Sequence, residues 1–367
     1  MARKIYRPVV IYDTAIPQFK ENRVFDHQHA AKFPGVLCLA ILGERARQRG
    51  WAVMTADVFL RAPSTVAVCV SDMVTPYTQA LLAHGVVPAV ILSGESPNTA
   101  WGFYHQLGKY AHLYHHAYIF RGALARVCSS VQAHPFYWPN AQRELIPGHA
   151  WHDREYLVMV ASNKDRFSVD THKSFLGLRR FAKRMIWKGL QLADPLFRFE
   201  DLYQRRLDAI IYFSDMSGFR LYGTGWDKGG RKSKYLQAAK QAGALPVDDK
   251  LRAMAYFRFA LCFENCVFPG YVTEKIFDCF FAGCIPVYLG APDISDFVPI
   301  ETFVDARQFE SWIELDRYLR EMPESEARCY SNAARDFLAS DAFVKFHQDY
   351  FVTELMDILE AEFANMA

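Results

Sequence analysis

The densest chemistry in the chain lies in Phe263-Glu264-Asn265-Cys266-Val267-Phe268-Pro269-Gly270-Tyr271-Val272-Thr273-Glu274-Lys275, between an apolar run and an apolar helical pattern. The run reads as a strand ending near Asn265. Pro269 and Gly270 form a loop, and a helix is predicted over Val272 to Phe281. The first N–H groups of a helix lack intrahelical partners and carry the positive end of its dipole, which suits a diphosphate. Lys275 in the first turn would add a point charge beside the phosphates. Glu274 could accept hydrogen bonds from sugar hydroxyls, and Tyr271 offers a ring and a hydroxyl. The plainer alternative is a strand–loop–helix unit whose acidic first turn serves only the macrodipole. A lysine in that turn counts against it, because the dipole alone disfavours a cation there. Other phosphate signatures are absent: there is no GxxxxGK[ST], and Gly223-Thr224-Gly225 lacks the third glycine of a dinucleotide fingerprint.

Other reactive side chains read more plainly. Cys262, Cys266, Cys279 and Cys284 are separated by wider spacings than a zinc knuckle and sit in apolar surroundings, so packed thiols are expected rather than a metal site. His112, His115 and His116 have no nearby carboxylate or cysteine to complete a ligand set. The most basic stretch, Lys173 to Lys188, interleaves six cations with Phe175, Leu178, Phe181, Met185 and Trp187. It is suited to an anionic membrane surface or a phosphorylated donor; the bland reading is a solvated helix packed by its apolar side.

The elements that must position these residues follow from periodicity. Short apolar runs alternate with helical patterns: strands over Pro8 to Asp13, Val53 to Val58, Val66 to Val70 and Val86 to Leu92, with helices over Gly35 to Arg49 and Pro76 to His84. A Pro-, Gly- and His-rich linker is expected over about Trp138 to Asp153. A second series follows, with strands over Tyr156 to Ala161, Phe219 to Tyr222, Tyr256 to Phe263 and Ile285 to Leu289, and a helix over Asp201 to Phe213. Buried parallel strands are the reading. The expected domains are 1–153, 154–330 and a helical tail over 331–367. The 367 residues carry 42 Lys+Arg against 40 Asp+Glu, which argues against a nucleic-acid partner. Thr75 to Gly94 lacks charge but contains Pro76, His84, Gly85 and Pro88, so no membrane span is expected. No apolar signal core follows the N-terminal charges, and a reduced, cytoplasmic setting is expected, with a peripheral membrane contact through 173–188 as an addition.

The order of these pieces resembles the α-1,3/4-fucosyltransferases of glycosyltransferase family 10. The resemblance rests on Phe263-Glu264-Asn265, Tyr271-Val272-Thr273-Glu274-Lys275 and Gly283-Cys284-Ile285-Pro286-Val287. It extends to Glu95-Ser96-Pro97-Asn98, Ser162-Asn163-Lys164, Leu202-Tyr203-Gln204-Arg205-Arg206-Leu207 and Leu221-Tyr222-Gly223-Thr224-Gly225-Trp226. Matched order covers roughly Val86 to Asn98 and Leu157 to Val304. Cys266 departs from the pattern, standing where Ser or Thr is more usual.

The resemblance implies a GT-B type fold of two Rossmann-like lobes facing a cleft, with a helical C-terminal tail. It implies transfer of L-fucose from GDP-fucose, with inversion, to a GlcNAc-containing glycan acceptor. Glu95 would be the general base. Arg206 and Lys275 would hold the diphosphate, with Arg205 the alternative to Arg206. Glu274 would bind donor hydroxyls, and Asn265 and Tyr271 would shape the phosphate and fucose site. No Asp-x-Asp triplet occurs, so no metal and no cofactor is expected. Two alternatives stay open: a different nucleotide-sugar donor, or a non-catalytic nucleotide-sugar-binding protein.

Overall fold

A computed structural model describes residues 7–33, 35–63, 66–163, 185–226, 234–243 and 249–366. The chain forms two compact units, one of 1–142, 269–274 and 341–367, the other of 143–268 and 275–340. The chain passes between the units at 142/143, 268/269, 274/275 and 340/341. Of the basic run, 173–184 lies outside the described residues, as does Lys164.

The first unit holds a six-stranded parallel sheet in the order β2-β1-β3-β4-β5-β6. Its strands are β1 (Val9–Asp13), β2 (Ala52–Thr55), β3 (Ala67–Ser71), β4 (Val87–Leu92), β5 (His116–Ile119) and β6 (Gln132–Pro135). β1 and β3 are buried at every position, as strands covered on both faces must be. β2 stops at Thr55, short of the expected Val58. The Asn22 carboxamide accepts from the Thr55 N–H at 2.7 Å, and a helical turn takes over at Ala56–Phe59. The terminal helix Gln348–Asn365 belongs to this unit. Glu362 on it lies 2.7 Å from His115 Nδ1, and Phe351 meets Tyr118 edge-on.

The second unit holds a five-stranded parallel sheet in the order β11-β10-β9-β7-β8. Its strands are β7 (Glu155–Val160), β8 (Phe219–Tyr222), β9 (Phe257–Phe263), β10 (Ile285–Leu289) and β11 (Val304–Asp305). Phe213, Phe219, Phe259 and Val287 are fully or almost fully buried in its core. In both sheets the first strand is flanked by the second on one side and the third on the other. That reversal leaves a crevice at the carboxyl ends of the first and third strands, where open α/β sheets take ligands. Among the described residues no helix is long and apolar enough to cross a membrane.

In the first sheet the carboxyl ends of β1 and β3 carry Asp13, which is fully buried, and Asp72. The Asp13 carboxylate accepts from Thr75 (2.5 Å) and Thr78 (2.8 Å). Asp72 Oδ2 accepts from Thr14 (2.6 Å) and Tyr12 (3.2 Å), while its Oδ1 is buried with no hydrogen-bond partner among the described residues. Burial, partly offset by those two hydroxyls, pushes the Asp72 carboxyl up to about 7. Burial also raises Asp13, against Thr75, Thr78 and the more distant Lys20 ammonium. A carboxyl whose folded value lies above its unfolded one binds more protons when folded. Its drag on stability therefore grows as pH rises from about 4 to 7. Asp72→Asn removes this penalty, of the order of 4 kcal/mol at most for about three units. Thermal melts at pH 4 and pH 7 should show the variant gaining on the parent as pH rises; a pH-independent difference would refute this account of Asp72.

Candidate active site

The apolar strand β9 delivers two polar residues, Glu264 and Asn265, to its carboxyl end. Glu264 keeps the ladder going, its N–H donating to Leu289 O at 2.8 Å. Its side chain is nonetheless fully buried, at 0% exposure. An isolated buried carboxylate is costly and must be paired. The partner is Lys275, whose Nζ donates to Glu264 Oε2 at 2.7 Å and which keeps 22% of its side chain exposed. The helix carrying Lys275 begins at Glu274, two residues later than the spacing suggested.

Arg206 approaches the same strand end from the helix Tyr203–Phe213. Its Nη2 donates to Phe263 O at 2.6 Å and to Asn265 Oδ1 at 3.1 Å. The main chains also join here, Leu202 N–H donating to Asn265 O at 3.0 Å. Arg205 points away and pairs with Glu200 at 2.9 Å, both largely exposed. Two cations, Arg206 and Lys275, are thus anchored on three consecutive residues, Phe263 to Asn265.

The neighbouring wall is built by the ends of β7 and β8. Asn163 accepts from the Tyr203 hydroxyl at 2.5 Å and donates to Gly225 O at 3.1 Å. Trp226 Nε1 donates to Ala161 O at 2.8 Å. Gly223 has φ +132°, and a Cβ there would run into the Ala161 carbonyl, so the turn after β8 admits no side chain. The Leu-Tyr-Gly-x-Gly-Trp pattern is therefore a packing rule: it fixes β8 against the loop that follows β7.

Tyr271 and Glu274 belong with the first unit through 269–274. Gly122 N–H donates to Pro269 O at 3.0 Å. Gly270 has φ +71°, and a Cβ on it would stand 2.7 Å from Arg121 Cβ. Tyr271 is 2% exposed, its ring set edge-on to Phe120 at 4.9 Å, so it anchors the loop as a buried ring. Glu274 is half-buried.

Glu95, also in the first unit, follows β4. Its carbonyl accepts from the Tyr104 hydroxyl at 2.9 Å. Buried Ser96 closes the turn behind it, donating to Asn98 Oδ1 at 2.6 Å and accepting, through its carbonyl, from Thr99 and Ala100 N–H at 2.9 Å. The Glu95 side chain is exposed. Cys262, Cys266, Cys279 and Cys284 are buried free thiols, and burial pushes those of Cys262 and Cys279 well up.

Glu264 was not among the residues singled out from sequence for chemistry. Its signal is an acid directly after the apolar run Ala260-Leu261-Cys262-Phe263, with a lysine eleven positions on. Helix spacing likewise favours Arg206 over Arg205: Ala209, Ile210 and Phe213, three, four and seven residues beyond Arg206, are all buried.

Residues 232–334 match the family model for the C-terminal domain of glycosyltransferase family 10 (fucosyltransferase). Among curated relatives, an alpha-(1,4)-fucosyltransferase of Arabidopsis thaliana is 39% identical over 70 residues, 19% of this chain and 18% of that protein. The 4-galactosyl-N-acetylglucosaminide 3-alpha-L-fucosyltransferase 9 of Mus musculus is 32% identical over 138 residues, 32% of this chain and 38% of the relative. The alpha-(1,3)-fucosyltransferase FucT of Helicobacter pylori is 40% identical over 75 residues, 20% of this chain and 16% of the relative. The matches thus span well under half of these relatives' lengths. Among solved structures, an alpha-glucosyltransferase in complex with UDP superposes with a TM-score of 0.50 at 10% identity, over 97% of this chain and 100% of that one. This likeness gives the fold as GT-B.

The two arginines should separate cleanly in urea. Arg206→Ala strips a charged donor from the Phe263 carbonyl and should lower stability by about 1–3 kcal/mol. Arg205→Ala loses one exposed ion pair and should change it by less than about 1 kcal/mol. Equal losses would contradict the placement of Arg206.

Proposed function

We propose, from the match of residues 232–334 to the family model, a metal-independent, inverting fucosyltransferase. Its donor is GDP-L-fucose and its acceptor a hydroxyl of a GlcNAc-containing glycan, in α-1,3/4 linkage. The observation that carries the reading is the pair of cations, Arg206 and Lys275, tied to the end of β9 beside a helix N-terminus.

Displacement at the anomeric carbon makes one C–O bond and breaks another. The acceptor oxygen bonds to C1 of fucose as its proton passes to the Glu95 carboxylate. The bond from C1 to the β-phosphate oxygen breaks, and negative charge collects on the leaving GDP. Preorganised cations and helix N–H groups suit that charge, each such donor typically contributing about 2.7–4 kcal/mol. Arg206 and Lys275 are the cations in this scheme. Glu274 accepts from donor hydroxyls, while Asn265 holds Arg206 in register and Tyr271 supports the loop. With two cations on the diphosphate and no Asp-x-Asp triplet, the scheme needs neither metal nor cofactor.

Three measurements test the reading together. Calorimetry should give tighter binding of GDP than of UDP or ADP. Glu95→Ala should bind GDP as the parent does yet lose about 10²-fold or more of transfer to β-galactosyl-GlcNAc or GlcNAc acceptors. Transfer should persist in excess EDTA. A preference for UDP, full transfer by the Glu95 variant, or a strict Mn²⁺ requirement would each count against it.

The eight free cysteines support a reducing, cytoplasmic setting. Peripheral contact with an anionic membrane is part of the same proposal. Residues 185–193 are helical, with Met185, Ile186 and Leu192 at 52%, 48% and 78% exposure, while Trp187 packs inward on Phe197. An exposed apolar face beside a strongly basic sequence suits an anionic interface. The protein should co-sediment with phosphatidylserine vesicles but not phosphatidylcholine vesicles, and replacing all three exposed residues by Ser should abolish this. Recovery in the supernatant with both vesicle types would remove the membrane contact.

A further inference from the structure

We propose that Glu264 is a positioning residue, holding the Lys275 ammonium where the departing diphosphate gathers charge. The inference rests on the donor reading above. Three observations carry it. First, Glu264 is fully buried yet ionically paired: Oε2 lies 2.7 Å from Lys275 Nζ, while Lys275 stays 22% exposed. The fully buried carboxylate is thus paired with a lysine whose side chain keeps part of its surface exposed. A methionine or leucine would fill a purely structural position with no charge to bury.

Second, the seat is made to measure. A Cβ on Gly290 would stand 2.6 Å from Glu264 Cγ and would press on the Tyr288 hydroxyl. That hydroxyl is fixed by the Ala291 N–H, which donates to it at 3.0 Å. The glycine closing Pro286-Val287-Tyr288-Leu289-Gly290 therefore leaves room for this carboxylate, and Tyr288 forms the wall beside it.

Third, Lys275 occupies the first turn of a helix, where the dipole repels it. Its stem is long and flexible, so without an anchor the ammonium would sample many positions. Glu264 supplies the anchor, and the preceding peptide carbonyl, Phe263 O, does the same for Arg206. One strand end sets the spacing of both cations. A charge held in place before reaction needs no reorganisation as the transition state forms.

The test is a double-mutant cycle in the full chain: Glu264→Gln, Lys275→Met and both together, with kcat, both KM values and GDP affinity measured. Glu264→Gln should lower kcat by about 10- to 100-fold, the scale of a misplacement near 1 Å, and leave the acceptor KM unchanged. The double variant should be no slower than Lys275→Met alone, since Glu264 acts through that lysine. Unchanged kcat in Glu264→Gln, or losses that multiply in the double variant, would overturn the proposal. If the Gln variant does not fold, Glu264→Asp replaces it: the charge remains but is withdrawn by one methylene. A comparable fall in kcat then supports the proposal, and full kcat refutes it. The donor reading is judged separately, because Lys275→Met with parental GDP affinity would sink that reading whatever Glu264 does.

Discussion

The Glu264–Lys275 ion pair is the constraint on which the second unit's site depends. A carboxylate at 0% exposure cannot remain ionised without a partner, so the strand end and the helix start are bound into one electrostatic unit. Arg206 joins through the Phe263 carbonyl and the Asn265 side chain. The Leu202 N–H, donating to Asn265 O, brings the Arg206 helix to the same place through the backbone. Much of the distinctive sequence then reads as support. Gly290 makes room for the carboxylate, and Tyr288 walls it. Gly223 and Trp226 lock the β8 turn onto Ala161, and Asn163 ties that turn to Tyr203.

The architecture was legible where burial imposes pattern. Strands covered on both faces must be apolar throughout, and β1, β3, β4, β9 and β10 appear in the sequence as continuous apolar runs. β5, β6 and β11 escaped notice for the complementary reason. His116–Ile119 carries polar residues, Gln132–Pro135 lies at the sheet edge with exposed positions, and Val304–Asp305 has two residues. The division of the chain was legible only in part, because contacts that bring distant segments into one unit leave no local pattern. Nothing near Glu362 announces His115, and nothing near Pro269 announces Gly122.

The candidate site was more legible through motif order than through chemistry read residue by residue. Arg206 and Lys275 both contact the end of β9, at Phe263, Asn265 and Glu264. Tyr271, flanked by Gly270 and Val272, reads as a loop residue offering a ring and a hydroxyl, and its ring is buried against Phe120. Glu264 was passed over because an acid after a strand looks like the beginning of a polar loop. Its main chain instead stays in the ladder through Leu289, which turns the side chain inward.

The two sheets show why one topology serves different ends. Each opens a crevice at the carboxyl ends of its first and third strands, and each puts a buried carboxyl near it. In the first sheet Asp13 and Asp72 meet hydroxyls from Tyr12, Thr14, Thr75 and Thr78, and burial shifts both toward their neutral forms. In the second sheet the buried Glu264 carboxylate is matched by Lys275, whose side chain is 22% exposed, with the Arg206 guanidinium on the same strand end. The two sheets share a strand order around their first strands and differ in how a buried carboxyl is accommodated, by proton uptake at Asp72 and by ion pairing at Glu264.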